Sequence, residues 1–129
     1  MDIGCALMGG SLMPEVKAGA PAQDSAYDRL TTGYRDALAM GYDYIEASAG
    51  EILALSEREL ADLIAASRRG EFVLRYVNSF VRPDLKICTA PLEELENYAL
   101  EVIRRVALLG VKVLVFGSGK ARECPPEMS

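Results

Sequence analysis

Residues Val111 to Gly119 read VKVLVFGSG, an apolar and largely β-branched run that ends in small residues. Runs of this kind form buried strands, and in parallel α/β proteins ligands bind beyond the carboxyl ends of the strands. The stretch therefore predicts a strand over Val111 to Phe116 and a site-forming turn at Gly117 to Gly119. Only ten residues follow Gly119, and two of them are prolines, so no helix is expected to cover this strand.

The same kind of run occurs three times earlier in the chain and predicts strands over Ile3 to Met8, Tyr42 to Ala47 and Phe72 to Val77. A glycine precedes each of the last three strands, as expected where a helix ends in a left-handed cap. Helical patterns separate the strands. This alternation predicts an α/β fold of parallel βα units with four strands, forming one domain over residues 1–129.

The predicted helices differ in the strength of their patterns. One spans Leu92 to Leu109 and is predicted to bury a single stripe (Leu92, Leu95, Ala99, Val102, Ile103, Val106, Leu109). Another starts at Ser56, where Ser56 and Glu59 have capping-box spacing. A shorter one covers roughly Thr32 to Met40. The long connection from Gly9 to Thr31 is predicted to overhang the carboxyl face of the sheet.

Composition excludes several classes of protein. The net charge of −5 argues against a nucleic-acid binder, and no apolar run approaches the length needed to span a membrane. Three widely spaced cysteines (Cys5, Cys88, Cys124) indicate neither a disulfide framework nor a thiolate zinc site, which favours a reducing, cytoplasmic location. The chain has no histidine, so no Ser-His-Asp or Cys-His site can form.

The strand ends bring together a candidate site: Met8 and Gly9, Glu46, Asn78 and Ser79, and Gly117 to Gly119. Glu46 would bind sugar hydroxyls or a cation, or else form a structural ion pair with a lysine or arginine. Asn78 would hydrogen-bond a polyol, or else serve as a turn residue. Tyr76, close to Asn78, is a candidate for stacking on a ligand.

The Gly117-Ser118-Gly119 turn could offer backbone amides to an anion, with Lys120 and Arg122 adding positive charge. A P-loop would need glycine at Leu114 and serine or threonine at Ala121, and a dinucleotide fingerprint would need glycine at Arg122. Both nucleotide motifs are therefore absent. The alternative is that the small residues only permit a tight turn.

Three segments together resemble the sugar phosphate isomerase/epimerase family of the xylose isomerase-like TIM-barrel superfamily: GYDYIE at Gly41 to Glu46, RYVNSF at Arg75 to Phe80, and VFGSGKAR at Val115 to Arg122. The resemblance covers the amino-terminal half of such a barrel. It implies a substrate face containing Glu46, Asn78, Ser118 and Arg122, a sugar or sugar phosphate as substrate, and a divalent metal. The family's metal ligands and catalytic glutamates lie in the second half of the barrel, so none is assigned here.

The leading hypothesis is therefore the first half of a TIM-barrel isomerase or epimerase, inactive as this chain alone. One alternative is a half-barrel that forms a homo-oligomer through its exposed sheet edge, since identical patches commonly pair symmetrically. Another is a non-catalytic module that binds a sugar or an anion at the Gly-Ser-Gly rim.

Overall fold

The structure, a computed structural model, describes residues 2–6 and 25–128. Within these ranges the chain alternates between strands and helices, followed by two short 3₁₀ turns at Gly119–Arg122 and Pro126–Met128. The elements in chain order are β1 (Gly4–Ala6), α1 (Ala26–Ala39), β2 (Tyr44–Ser48), α2 (Ala49–Leu53), α3 (Glu57–Arg68), β3 (Leu74–Asn78), α4 (Leu92–Leu108) and β4 (Val113–Leu114).

The strands described form one parallel sheet in the order β1-β2-β3-β4. This confirms the predicted α/β fold with four parallel strands. The strand order follows the chain order without a reversal, whereas a doubly wound sheet reverses direction at a switch point. Sequential winding of parallel βα units is the arrangement found in TIM barrels.

One hydrophobic core joins the helices to a single face of the sheet. Ile45, Ala47 and Val77 are fully buried and belong to the same cluster as apolar residues of all four helices. The largest fully buried members are Phe72, Leu30, Ile45, Ile52, Leu60, Leu63, Leu109, Val77 and Val102. All four helices therefore contribute to the core on this face of the sheet.

Three glycines end helices as predicted, in left-handed conformations with φ of 91° at Gly41, 72° at Gly70 and 75° at Gly110. The residue after each glycine donates its backbone N–H back to the helix, as in the bond from Tyr42 to the carbonyl of Ala37. Because these residues complete the helix caps, β2 and β3 begin two residues later than predicted. The two strands also end one residue later than predicted, at Ser48 and Asn78. β4 likewise begins two residues later than predicted, at Val113, and it ends at Leu114, before the predicted Phe116.

Serine side chains cap the starts of α1, α2 and α3, and the sequence analysis identified one of these caps, whereas α4 follows Pro91 without a side-chain cap. The Ser56–Glu59 capping box is present, with reciprocal bonds of 3.2 Å and 2.8 Å. The predicted start of α1 at Thr32 is wrong, because Ser25 caps a helix that begins at Ala26. Helix α2 was not predicted, although Ser48 and Glu51 form the same kind of capping box. The end of the first predicted strand and residues 9–24 of the long connection lie outside the described residues.

The predicted stripe of α4 is only partly buried. Val102, Val106 and Leu109 are buried, but Leu92 is 70% exposed and Ile103 is 49% exposed. Arg105 takes the inward position between Val102 and Leu109, and its guanidinium donates to the carbonyls of Ile52 (3.1 Å) and Leu55 (2.7 Å). The helix is turned so that this arginine reaches the carbonyls at the end of α2, which sequence periodicity alone does not reveal.

A smaller cluster, built around Val81, Leu85 and Ala121, joins the loop after β3 to the segment after β4. A disulfide between Cys88 and Cys124 links the same two segments. The expectation that the cysteines form no disulfide is therefore wrong for this pair. The two cysteines are 36 residues apart in sequence and meet because β3 and β4 are neighbours in the sheet.

Candidate functional site

The face of the sheet opposite the core carries half-buried polar and aromatic side chains. In β2, Tyr44, Glu46 and Ser48 alternate with the buried Ile45 and Ala47. In β3 an irregularity makes Arg75 an extra residue, so Leu74 pairs with Ile45 and Tyr76 pairs with Glu46. As a result Tyr44, Glu46, Tyr76 and Asn78 share one face, which we call the open face.

Glu46 and Asn78 contact each other on the open face, near the carboxyl ends of β2 and β3. The Nδ2 of Asn78 donates to the Oε1 of Glu46 at 3.0 Å. Among the described residues, no lysine or arginine lies within ion-pair distance of Glu46. The structure therefore does not have the structural ion pair that was the alternative role for Glu46. The amide donor orients the carboxylate and leaves its other oxygen available to accept hydrogen bonds.

Asn78 is the last residue of β3 and is not a turn residue. The turn is made by the next residue, Ser79, which has a left-handed φ of 52°. The Asn78 side chain thus projects from a hydrogen-bonded strand, where the backbone holds it more rigidly than a loop would.

Two tyrosines form an aromatic surface on the same face. The rings of Tyr44 and Tyr76 lie 5.4 Å apart, and the Arg75 guanidinium lies 4.5 Å above the Tyr44 ring. A side chain on Gly4 would overlap the Tyr44 ring, since an added Cβ would lie 2.0 Å from a ring carbon. Burial and the neighbouring Tyr76 raise the pKa of Tyr44, so its phenol is neutral at pH 7. The sequence reading identified Tyr76 but not its pairing with Tyr44, because the register between strands is not a local property.

Ser118 has a structural role in the turn after β4, where its hydroxyl accepts one hydrogen bond and donates another. The residue is buried with a φ of 48°, and its Oγ accepts from the backbone N–H of Val81 at 2.8 Å and donates to the carbonyl of Phe116. These bonds join the turn after β4 to the loop after β3. They favour the tight-turn interpretation of Gly117-Ser118-Gly119 over direct ligand binding by this hydroxyl.

Arg122 lies on the 3₁₀ turn after Ser118, and its side chain is exposed. Its backbone N–H donates to the carbonyl of Ser118 at 3.2 Å. Nearby, the Nζ of Lys86 donates to the carbonyl of Lys120 (2.5 Å) and pairs with Glu123 (3.1 Å). The structure thus brings Glu46 and Asn78 together, while Ser118 and Arg122 belong to a separate rim turn. Met8 and Gly9, the remaining predicted members, lie outside the described residues.

A divalent metal site needs several ligand side chains close together. Over residues 2–6 and 25–128, no group of three or more cysteine, aspartate or glutamate residues is arranged to hold a metal ion. Glu46 alone does not make a ligand set for a metal ion. In the same part of the chain, no helix is both long enough and apolar enough to cross a bilayer.

Comparison with protein-family models, with curated proteins and with solved structures found no match to the chain.

Proposed function

We propose that the open face binds a sugar or sugar phosphate, as the amino-terminal part of a barrel of the isomerase/epimerase type. The observation that carries the proposal is the Glu46–Asn78 hydrogen bond beside the Tyr44–Tyr76 ring pair. A carboxylate accepts hydrogen bonds from sugar hydroxyls, an amide both donates to and accepts from them, and aromatic rings pack against the C–H surface of a sugar ring. Ligand sites are typically of this kind, largely apolar with a few fixed polar groups.

The catalytic part of the proposal comes from the sequence resemblance alone. In an isomerase or epimerase a proton moves at a carbon beside the sugar carbonyl. Glu46 and Asn78 would hold hydroxyls and orient the sugar ring, and no proton transfer is assigned to either residue. Sugar binding by this chain is therefore expected without turnover, and any metal would bind to ligands that the described residues do not supply.

Isothermal titration with aldoses, ketoses and their monophosphates tests the binding. Glu46→Gln keeps the shape of the side chain but removes its charge. It should weaken binding about tenfold or more, the usual cost of losing a hydrogen bond to a charged group. Glu96→Gln, on the exposed surface of α4, is the matched control and should bind like the wild type. Failure of every sugar to bind, or equal binding by Glu46→Gln, would contradict the proposal.

A second candidate function is self-association of the sheet edges, favoured by where apolar side chains are exposed. Among the described residues, the exposed large apolar side chains lie in or next to β1, α1, α4 and β4. None lies in β2, α2, α3 or β3. They are Ile3, Leu38, Met40, Leu92, Leu100, Ile103, Leu108, Val113, Val115 and Phe116. A second copy could pair its β1 with β4 of the first copy, and its β4 with β1. Parallel pairing would also bring Lys112 of one copy near Asp2 of the other.

Sedimentation velocity over a range of concentrations tests this association. The wild type should sediment as a dimer, and Val113→Lys should shift it to the monomer because the charge would be buried at the new strand pair. Ala61→Lys, exposed on α3, is the control and should leave the dimer intact. A wild type that remains monomeric at every concentration would rule this candidate out.

We also propose a cytoplasmic location, on the basis of the odd number of widely spaced cysteines. The Cys88–Cys124 disulfide counts against it, because disulfides are rare in reducing compartments. Counting free thiols in protein isolated under alkylating conditions would decide the point, with one free thiol expected if the bond persists and three if it does not.

A further inference from the structure

A cavity of about 270 Å³ lies between α1, α3 and the residues that lead into β3. It lies among the helices, whereas Glu46 and Asn78 are on the opposite face of the sheet. Its lining is largely apolar and aromatic, with charged groups at two positions, and includes Tyr27, Tyr34, Arg35, Leu63, Glu71 and Phe72. An apolar cavity of ~150 Å³ can hold benzene, so this one has room for a ring with a short side chain.

Tyr34 supplies the observation that points to a ligand. The residue is only 7% exposed and its ring packs edge-on against Phe72, with centroids 5.4 Å apart. Its hydroxyl makes no hydrogen bond to any described residue, yet no fully buried side-chain oxygen in the described chain lacks a partner. Because Tyr34 lines the cavity, this accessible hydroxyl is available to hydrogen-bond a ligand bound there. Burial raises the pKa of Tyr34, which keeps this group a neutral hydrogen-bond donor at pH 7.

The charges around the cavity favour an anionic ligand. Arg35 follows Tyr34 on α1, and its side chain is 76% exposed with only a 3.9 Å contact to Asp36. The Glu71 carboxylate is held by the Nε of Arg69 at 2.9 Å, which offsets its negative charge. Arg35 is thus the cation best placed to meet a ligand at the mouth of the cavity.

We propose that this cavity binds a small aromatic monocarboxylic acid. The ring would pack against Phe72 and Leu63, and the carboxylate would accept from the Tyr34 hydroxyl and the Arg35 guanidinium. A neutral ligand of the same shape would lose the interaction with Arg35. The proposal is independent of the sugar site, since it involves none of the residues of the open face.

Amide NMR titration with phenylacetate tests the proposal, and phenylacetamide serves as the neutral ligand. Phenylacetate should shift resonances of the lining residues and saturate. Tyr34→Phe keeps the packing and should weaken phenylacetate binding about fivefold to tenfold through the lost hydrogen bond. Arg35→Gln should remove the preference for the acid over the amide, while Arg58→Gln, exposed on α3 and not in the cavity lining, should bind like the wild type.

The spectra of the free variants show whether each one is folded, so a loss of binding can be separated from a loss of structure. The proposal is overturned if phenylacetate causes no saturable shifts at millimolar concentration. It is equally overturned if the shifts fall outside the cavity, or if folded Tyr34→Phe binds as tightly as the wild type.

Discussion

Glu46 and Asn78 form a pair in which one carboxylate faces one neutral amide at 3.0 Å. Asn78→Asp would place two carboxylates at this distance, and like charges so close cannot both ionise without cost. The variant should lose about 1 kcal/mol of stability at neutral pH, and less at pH 5, where a shared proton relieves the repulsion. Urea denaturation at the two pH values measures the difference.

Asn97→Asp is the matched control, because Asn97 is exposed on α4. Its stability should change little with pH relative to the wild type. If Asn78→Asp and Asn97→Asp behave alike at both pH values, the close contact between Glu46 and Asn78 is not present in solution.

Glu101 gives a second prediction at the scale of a residue. Hydrogen bonds from Arg104 and then Arg105 lower the pKa of Glu101 to about 2. A carboxyl with a depressed pKa in the folded state stabilises the protein above its unfolded pKa, and this contribution is lost as pH falls. The wild type should therefore lose stability between about pH 4.5 and pH 2, and Glu101→Gln should flatten that part of the curve. Because the side chain is 38% exposed, solvent screening will keep the effect small.

Thermal melts at a series of acidic pH values would measure how much stability the Glu101 carboxylate contributes. Glu93→Gln, exposed in the first turn of α4, is a suitable control. Equal pH slopes for Glu101→Gln and the wild type would show that the arginine bonds contribute nothing to folding.

At the scale of elements, Arg105 joins α4 to the end of α2. Its side chain is 10% exposed and donates to two backbone carbonyls, Ile52 and Leu55, as well as to Glu101 and Glu57. Arg105→Ala would leave these carbonyls without a donor, which should cost about 2–4 kcal/mol of unfolding free energy. Arg104→Ala removes ion pairs to the same two glutamates from an exposed position and should cost less than about 1 kcal/mol.

Chemical denaturation of both variants gives the two values side by side. Similar losses of unfolding free energy for Arg104→Ala and Arg105→Ala would mean that the bonds from Arg105 to the two buried carbonyls add no extra stability.

The elements also show which features a sequence can predict. The glycine caps at Gly41, Gly70 and Gly110 and the Ser56 capping box depend on residues close in sequence, and the structure has them where the patterns placed them. The positions of Glu46 and Asn78 near neighbouring strand ends followed from parallel winding.

The features that were missed depend on contacts between distant segments. Arg105 lies near the carboxyl end of α4, where the helix dipole favours a cation, so its position suggests an exposed side chain. It is buried because it bonds carbonyls at the end of α2, about fifty positions earlier. The exposure of Leu92 and Ile103 follows from the same rotation of α4. The Cys88–Cys124 bond and the bonds of Ser118 require that the loops after β3 and β4 meet, which depends on sheet order.

At the scale of the whole molecule, the disulfide closes a loop with a sequence separation of 36. Loop-closure entropy predicts a stabilisation of about 4 kcal/mol for such a loop, and native disulfides commonly contribute 2–5 kcal/mol. The variant Cys88→Ser with Cys124→Ser should therefore unfold at lower urea concentration than the wild type. A reducing agent should destabilise the wild type and leave the double variant unchanged.

Cys5→Ser is the control, because Cys5 is a free, partly buried thiol in β1. It should remain sensitive to the reducing agent. A wild type whose stability does not respond to reduction would contradict the contribution assigned to the disulfide.

The open face, and not the helical side of the sheet, is the proposed binding site for a sugar or sugar phosphate. Amide NMR titration with fructose 6-phosphate and the other sugars of the panel tests it most directly, because it shows both binding and location. Saturable shifts are expected at Tyr44, Glu46, Tyr76 and Asn78, and they should weaken in Glu46→Gln but not in Glu96→Gln. Absence of shifts with every sugar, or shifts confined to the helices, would contradict it.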